Sequence, residues 1–360
     1  AKAKGNDYGR IDQCFAKAYK AKMLLYKASP QFNPSNRYDN KYWNEAYEAA
    51  KEAYDFCISQ GIKLTDKYSD NWLVDGNSEV VFPIIYSNPD KTAGWENTIR
   101  PASLSRSNAN NTPTWDMVKA FPMLDGKSFD DPTGKYYVGN EDVFLQRYWM
   151  NRDPRFEDCI LYNAALYPVS GTSTGYRQYT SVGIAVREDS YGINPNVGST
   201  ATQNDVISGM YVRKGSDVSL SQDLVSTFDH DYPFMRLAEV MFIYAESYTM
   251  ATGNPDQLSY DMINSIRNRA GLSPLSGLNK DEFIQAVWKE RAHELCYENK
   301  EYFDIQRTHK AYNLKTDRFE NYNSFTNESG TTFSEKYLLW PIPSTETDVN
   351  PKLLPNNKDW

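Results

Sequence analysis

The chain is poor in the residues that most often carry catalysis and metal chemistry, with 3 His and 4 Cys in 360 residues. The cysteines (Cys14, Cys57, Cys159, Cys296) contain no C-x-x-C pair and no metal-like spacing. Positive charge is also short. Lys and Arg number 39 against 47 Asp and Glu, for a net charge of −8. That balance, with the basic residues scattered, disfavours a nucleic-acid partner, which needs a basic footprint to displace counterions. It leaves no polybasic patch for a membrane surface either. No apolar run approaches the roughly 20 residues that span a bilayer. The first ten residues contain neither a signal peptide nor a lipobox cysteine.

Aromatic residues, by contrast, are abundant: 8 Trp, 27 Tyr and 16 Phe. Tyr joins an apolar ring to a polar tip, so Tyr-rich surfaces stay soluble while offering flat faces. Such faces suit sugars, whose C–H sides stack on rings while their hydroxyls bond to neighbouring polar groups. Most of the tyrosines are nonetheless expected to fill helix-pair cores. A chain of this length buries a sizeable core without disulfide or metal staples.

Apolar periodicity predicts a helix over 11–28, with Ile11, Phe15, Ala18 and Leu25 on one face. A second covers 42–58, with Trp43, Ala46, Tyr47, Ala50, Tyr54 and Cys57 at helical spacing. Small Ala between large rings is the pattern of a close antiparallel pair, as in a tetratricopeptide unit. Such a hairpin brings Cys14 and Cys57 together, as a disulfide or, the preferred reading, as two small buried hydrophobes. Further helices are predicted over 234–251 and 255–270, ended by Gly271, and from a cap at Asn279 with Glu282 three residues on. Residues 79–87 read as a short strand that Pro83 confines to an edge or bulge. Long polar loops follow, over 88–114 and 168–231. The expected class is mostly α: a single domain with a helical-pair scaffold (7–60 and 233–312), a loop-rich ligand region with a few short strands (61–232) and a C-terminal packing tail (313–360).

Three motifs are weighed and set aside. Gly171-Thr172-Ser173-Thr174-Gly175 matches the G-x-S-x-G nucleophile elbow, but no helix pattern follows it, so a flexible loop is expected. Glu290-Arg291-Ala292-His293 is half of a di-iron motif without the second half. Glu290, Arg291, Glu294 and Glu298 read instead as a ladder paired among themselves and with Arg267, Arg269 or Arg307. A glycosidase needs two carboxylates at a set separation, and no acid here stands in a recognisable catalytic context. No catalytic residue, metal ligand or cofactor is expected.

Order along the chain is the strongest signal. Arg236-Leu237-Ala238-Glu239-Val240 and Ile243-Tyr244-Ala245-Glu246 are followed by Ile263-Asn264-Ser265-Ile266-Arg267-Asn268-Arg269-Ala270-Gly271-Leu272. Next come Glu290-Arg291, Glu294-Leu295, Phe303-Asp304-Ile305-Gln306-Arg307, Leu339-Trp340-Pro341-Ile342-Pro343, Asn350-Pro351 and Trp360. Upstream stand Asn151-Arg152-Asp153-Pro154-Arg155-Phe156 and Gly209-Met210-Tyr211-Val212-Arg213-Lys214. This ordered set resembles the SusD/RagB-like family of Bacteroidetes nutrient-binding lipoproteins. One departure is the ending Pro355-Asn356-Asn357-Lys358-Asp359-Trp360, which lacks the family's Pro-Gly turn. The opening Gly9-Arg10 resembles the interior of such a chain, so an N-terminal portion is expected to precede it.

The resemblance implies a lipid-anchored protein of the outer-membrane surface that binds an oligosaccharide and passes it to a SusC-like TonB-dependent transporter, breaking no bond. A peptide-binding RagB-like relative and a tetratricopeptide interaction scaffold are the alternatives. Trp43, Trp149, Trp288, Trp340 and Trp360 lie in periodic helices or family landmarks and are assigned to packing. The candidate ligand-binding residues come from the loops: Trp95 first, then Trp72, Trp115, Tyr176, Tyr179 and Tyr191, with Asn97 and Arg100 as hydroxyl-reading donors.

Overall fold

The structure, a computed structural model, describes residues 2–3, 5–35, 40–101, 104, 111–180, 209–326 and 333–360. Helix α1 (Gln13–Ala28) begins at Asp12, whose carboxylate accepts the Phe15 amide at 2.9 Å. Helix α2 (Lys41–Ser59) returns antiparallel, since Lys17 pairs with Glu52 and Lys27 with Glu45. Ala18, Ala21, Ala46, Ala49, Ala50 and Ala53 are buried between or behind the pair, which lets the backbones approach closely. Ile11 precedes the helix and is 72% exposed, so it does not belong to the apolar face that its spacing predicts. Cys14 and Cys57 do meet across this pair, as free buried thiols joined by a hydrogen bond.

The middle of the chain is built from short pieces. These are α3 (Asp70–Leu73), β1 (Val80–Ile84), α4 (Trp95–Ile99), α5 (Trp115–Ala120), α6 (Glu141–Leu145) and α7 (Arg155–Cys159). Two small antiparallel sheets follow, β2 (Ile160–Leu161) with β5 (Tyr211–Val212), and β3 (Ala165–Leu166) with β4 (Arg177–Gln178). Strand β6 (Tyr232–Arg236) then pairs antiparallel with β1, with register shifts on either side of Phe82 that accommodate Pro83.

Strand β6 runs directly into α8 (Leu237–Thr252), where every residue from Leu237 to Ser247 is buried. A helix buried on every side belongs inside a scaffold, and its two buried carboxylates, Glu239 and Glu246, are ion-paired. Helices α1, α2, α9 (Gln257–Arg269) and α10 (Lys280–Glu294) all pack against it, and one apolar cluster runs from Cys14 to Leu295 through all five long helices. The predicted Asn279–Glu282 capping box is present at α10. Helix α11 (Glu301–Thr308), the hairpin β7 (Lys310–Asn313)–β8 (Arg318–Asn321) and α12 (Ser344–Val349) complete the chain. The tail departs from its expected packing role: Trp340 is 69% and Trp360 46% exposed. The Trp360 indole donates to the carbonyls of Lys336 and Leu339, so the tail closes on itself.

The segments meet at a buried ionic network. Arg236, at the β6–α8 junction, donates to Glu79 at 2.7 Å, Glu294 at 2.6 Å and Glu298 at 2.8 Å. Arg269 at the end of α9 reaches Glu79 and Glu294 as well. Arg155 at the start of α7 holds Asp153 and Glu290 at 2.6 Å and Glu294 at 3.0 Å. The ladder read from sequence thus exists in part: Glu290 pairs with Arg267 and Glu294 with Arg269, while Arg307 pairs with Glu246 and Asp304. Arg155 and Arg236, unrecognised as partners in the sequence, are the hubs. Burial alone would raise the Glu294 carboxyl, but Arg269, Arg236 and Arg155 together hold it well below the ordinary range.

Removing one member of such a cluster leaves the others charged and dry. Arg236→Met is therefore expected to lower unfolding free energy by about 3–5 kcal/mol, measured by denaturant titration. Breaking the exposed Lys51–Asp55 pair on α2 by Lys51→Ala is expected to leave the midpoint nearly unchanged.

Candidate ligand-binding site

The candidate site is a cleft of about 340 Å³ where the ends of β1 and β6 open beside α3 and α4. Its platform is the indole of Trp95, the first residue of α4, which stacks on Trp72 of α3 at a centroid distance of 5.6 Å and 30°. Trp72 is buried behind it and meets Tyr232 edge-on at 5.3 Å. Trp95 is held in place by its indole N–H, which donates to the Lys214 carbonyl at 2.8 Å. That approach requires Gly215, which adopts φ +72°, and whose place a Cβ would fill 2.7 Å from Trp72 and 3.0 Å from the Trp95 indole nitrogen.

Helix α4 is only five residues long, so its position depends on anchors. Glu96 and Arg100, one turn apart and both fully buried, pair with each other beneath it. Glu96 also accepts from Ser216 and the Asp217 amide, and Arg100 donates to the carbonyls of Leu220 and Asp217. The opposite wall is the run Phe228–Tyr232, tied to the first by the Ala93 amide donating to the Phe228 carbonyl at 2.8 Å. Tyr86 completes the aromatic lining, and Thr98, Asn111 and Asp231 supply polar groups at the rim.

His230 lines the cleft between two carboxylates, with Nε2 3.3 Å from Asp217 and Nδ1 at an ion-pair distance of 3.5 Å from Asp75. Hydrogen bonding to Asp217 and then Asp75 outweighs burial and raises its pKa to about 10. The same contact holds Asp217 down to about 2. The cleft therefore contains a fixed imidazolium at neutral pH.

Of the residues chosen from sequence, the structure brings Trp72 and Trp95 together here. Asn97 sits on α4 but does not line the cleft, and its Oδ1 is buried. Arg100 is not a surface donor, because its guanidinium is fully buried and committed to Glu96 and backbone carbonyls. Trp115 packs edge-on to Tyr148 at 5.1 Å, and Tyr176 is buried in a separate apolar cluster with Tyr167 and Tyr211. Tyr179 is half-buried beside β4, away from the cleft lining. Tyr191 lies outside the described residues. Tyr86, Phe228, His230, Asp231 and Tyr232 were not foreseen. The dense run Phe228-Asp229-His230-Asp231-Tyr232 was the available signal, but only the β1–β6 pairing places it opposite Trp95.

The motifs set aside on sequence have plain structural settings. Gly171–Gly175 is the turn between β3 and β4, with no following helix to form an elbow. His293 bonds the Ala120 carbonyl at 2.8 Å and stacks on Phe121, and burial drives its pKa down to about 3. Among the described residues no cluster of His, Cys, Asp and Glu is arranged to hold a metal.

Residues 78–360 match the model of the SusD family. The chain belongs to the SusD family. A SusD-like protein from Formosa agariphila is 34% identical over 136 residues, which are 35% of this chain and 25% of that protein. A SusD superfamily protein from Parabacteroides distasonis superposes on the whole chain with a TM-score of 0.69 at 22% identity, covering 65% of its own length. A SusD-like carbohydrate-binding protein from Bacteroides fragilis gives 0.69 at 20% identity, over 98% of this chain and 66% of its own. Surface glycan-binding protein A from Bacteroides uniformis gives 0.59 at 19% identity, over 99% of this chain and 63% of its own. The chain thus spans about two thirds of the length of these solved SusD-family structures. The mostly helical fold expected from sequence is the SusD-family fold. Among the described residues, no helix is long and apolar enough to cross a membrane.

Two outcomes follow. Gly215→Ala is expected to force the Trp72–Trp95 stack apart, read as loss of the near-ultraviolet circular dichroism signal of the coupled indoles with the far-ultraviolet spectrum retained. The His230 ion pairs set a pH dependence. A free histidine titrates near 6.5, so their contribution is complete below that pH and is lost as pH rises through about 10. Asp217 gives the acid limit, its contribution being complete above 3.8 and lost as pH falls through about 2. Stabilisation by this cluster is greatest between 3.8 and 6.5. His230→Gln is expected to flatten the alkaline decline, measured by urea midpoints from pH 6.5 to about 10.

Proposed function

We propose that this chain binds a nutrient oligosaccharide on the Trp95 platform and hands it to a SusC-like TonB-dependent transporter, at the outer-membrane surface and without breaking a bond. The observation that carries the reading is the indole stack opening on a cleft with polar groups at its rim. A ring face takes the C–H side of a pyranose, and Thr98, Asn111 and Asp231 are within the same lining to bond its hydroxyls. The platform is rigid before any ligand arrives, because Trp95 is fixed by Trp72, Lys214 and the Glu96–Arg100 anchor. Preorganisation of this kind lowers the ordering cost of binding. SusD-family relatives described as carbohydrate-binding and as surface glycan-binding support the ligand class. Family membership supports the surface location, a lipid anchor and the transporter partner.

Isothermal calorimetry against a panel of oligosaccharides and peptides tests the reading. Heat with at least one oligosaccharide is expected, weakened about tenfold by Trp95→Ala, the order of one aromatic contact. Heat with peptides alone would overturn it, in favour of a peptide-binding relative of the RagB kind.

A further inference from the structure

We propose that Cys159 and Cys296 form a disulfide that locks the floor of the aromatic cleft. Their sulfurs stand 3.3 Å apart across 137 residues of chain, and both side chains are buried. The two free thiols need only close this gap to the roughly 2.05 Å of a disulfide bond. Both residues also stand at the ends of regular elements. Cys159 is the last residue of α7, and Cys296 lies in the irregular turn after α10, ahead of Tyr297 at φ 60° and Asn299 at φ 57°.

The pair is wired to the site. The Cys159 carbonyl accepts the Arg213 amide at 2.8 Å, and the Cys296 carbonyl accepts the Lys214 ammonium at 2.8 Å. Lys214 in turn accepts the Trp95 indole, and Gly215 lies against both indoles. Residues 213–215 are therefore clamped between the two cysteines on one side and the ring platform on the other. A covalent bond between Cys159 and Cys296 fixes the separation of the two carbonyls that hold this floor. The Cys14–Cys57 thiols have no such connection, since they lie inside the α1–α2 pair.

The chemistry is thiol–disulfide exchange with a small-molecule or protein disulfide as oxidant. The Cys296 thiolate attacks one sulfur of the oxidant, forming a mixed disulfide and releasing the first thiolate. Deprotonated Cys159 then attacks the Cys296 sulfur, forming the intramolecular bond and releasing the second thiolate. The two cysteine protons end on the two released thiols, and the oxidant takes up two electrons. The bond formed is the same whichever of the two thiols attacks the oxidant first. Both sulfurs are shielded in the folded chain, so exchange proceeds while this turn is still open during folding.

The test is peptide mapping of the full chain refolded with oxidised glutathione, alkylated in denaturant without reduction and digested. A Cys159–Cys296 linked peptide that disappears on reduction is the expected result. Recovery of both residues alkylated, or a link between Cys14 and Cys57 alone, overturns the proposal. As a second readout, reduction is expected to lower the melting temperature of the wild type by roughly 5–10 °C. The same reductant is expected to leave Cys296→Ala unshifted and to shift Cys57→Ala as it does the wild type. An equal shift in Cys296→Ala overturns the assignment, and the peptide map stands even where that variant folds poorly.

Discussion

Arg236 is the group on which the rest of this molecule depends. Its guanidinium is almost completely buried, and its donors are divided among Glu79, Glu294 and Glu298, with a further bond to the Glu294 carbonyl. A charge in that setting is tolerable only with every partner in place. The partners come from the segment before β1 and from the end of α10 with the turn after it, so satisfying one side chain joins the β6–α8 junction to two distant parts of the chain. Arg155 and Arg269 extend the same demand to α7 and α9 through Glu294 and its neighbours. Apolar packing holds the long helices together. The ionic hub selects one arrangement of the short pieces around them.

The cleft is the outer edge of that network. Glu298, which pairs with Arg236, also holds the Lys214 ammonium, and the Lys214 carbonyl holds the Trp95 indole. The carbonyl of Glu298 accepts the Tyr232 hydroxyl at 3.0 Å, which fixes the ring set edge-on against Trp72. Two of the rings are thus placed by bonds that lead back to a single buried residue, Glu298. A cleft made of short helices and turns has little stiffness of its own. Here the stiffness is borrowed from the scaffold.

The long helices α1, α2, α8, α9 and α10 were legible because their apolar spacing, caps and terminating glycines are local signals. The four- to six-residue helices α3 to α7 were not, since pieces that short form only when tertiary contacts hold them. The same limit explains the site. Trp72 and Trp95 stood out as large rings in polar surroundings. Asn97 and Arg100 looked like surface donors for the same reason, yet helix α4 turns Arg100 inward to meet Glu96. Trp340 shows the opposite error, an indole in a family landmark that the tail leaves in the open.

What the sequence determined by itself was the scaffold, the family resemblance and the acidic, aromatic-rich character that points to a ligand with flat apolar faces. These rest on local periodicity and on landmark order, which need no knowledge of distant contacts. Only the tertiary structure decided which aromatics face a common space, which charges are buried, and which cysteines are neighbours. Each of those depends on pairings across most of the chain, such as Val80 with Arg236 or Cys159 with Cys296, and no local pattern encodes a contact between segments so far apart.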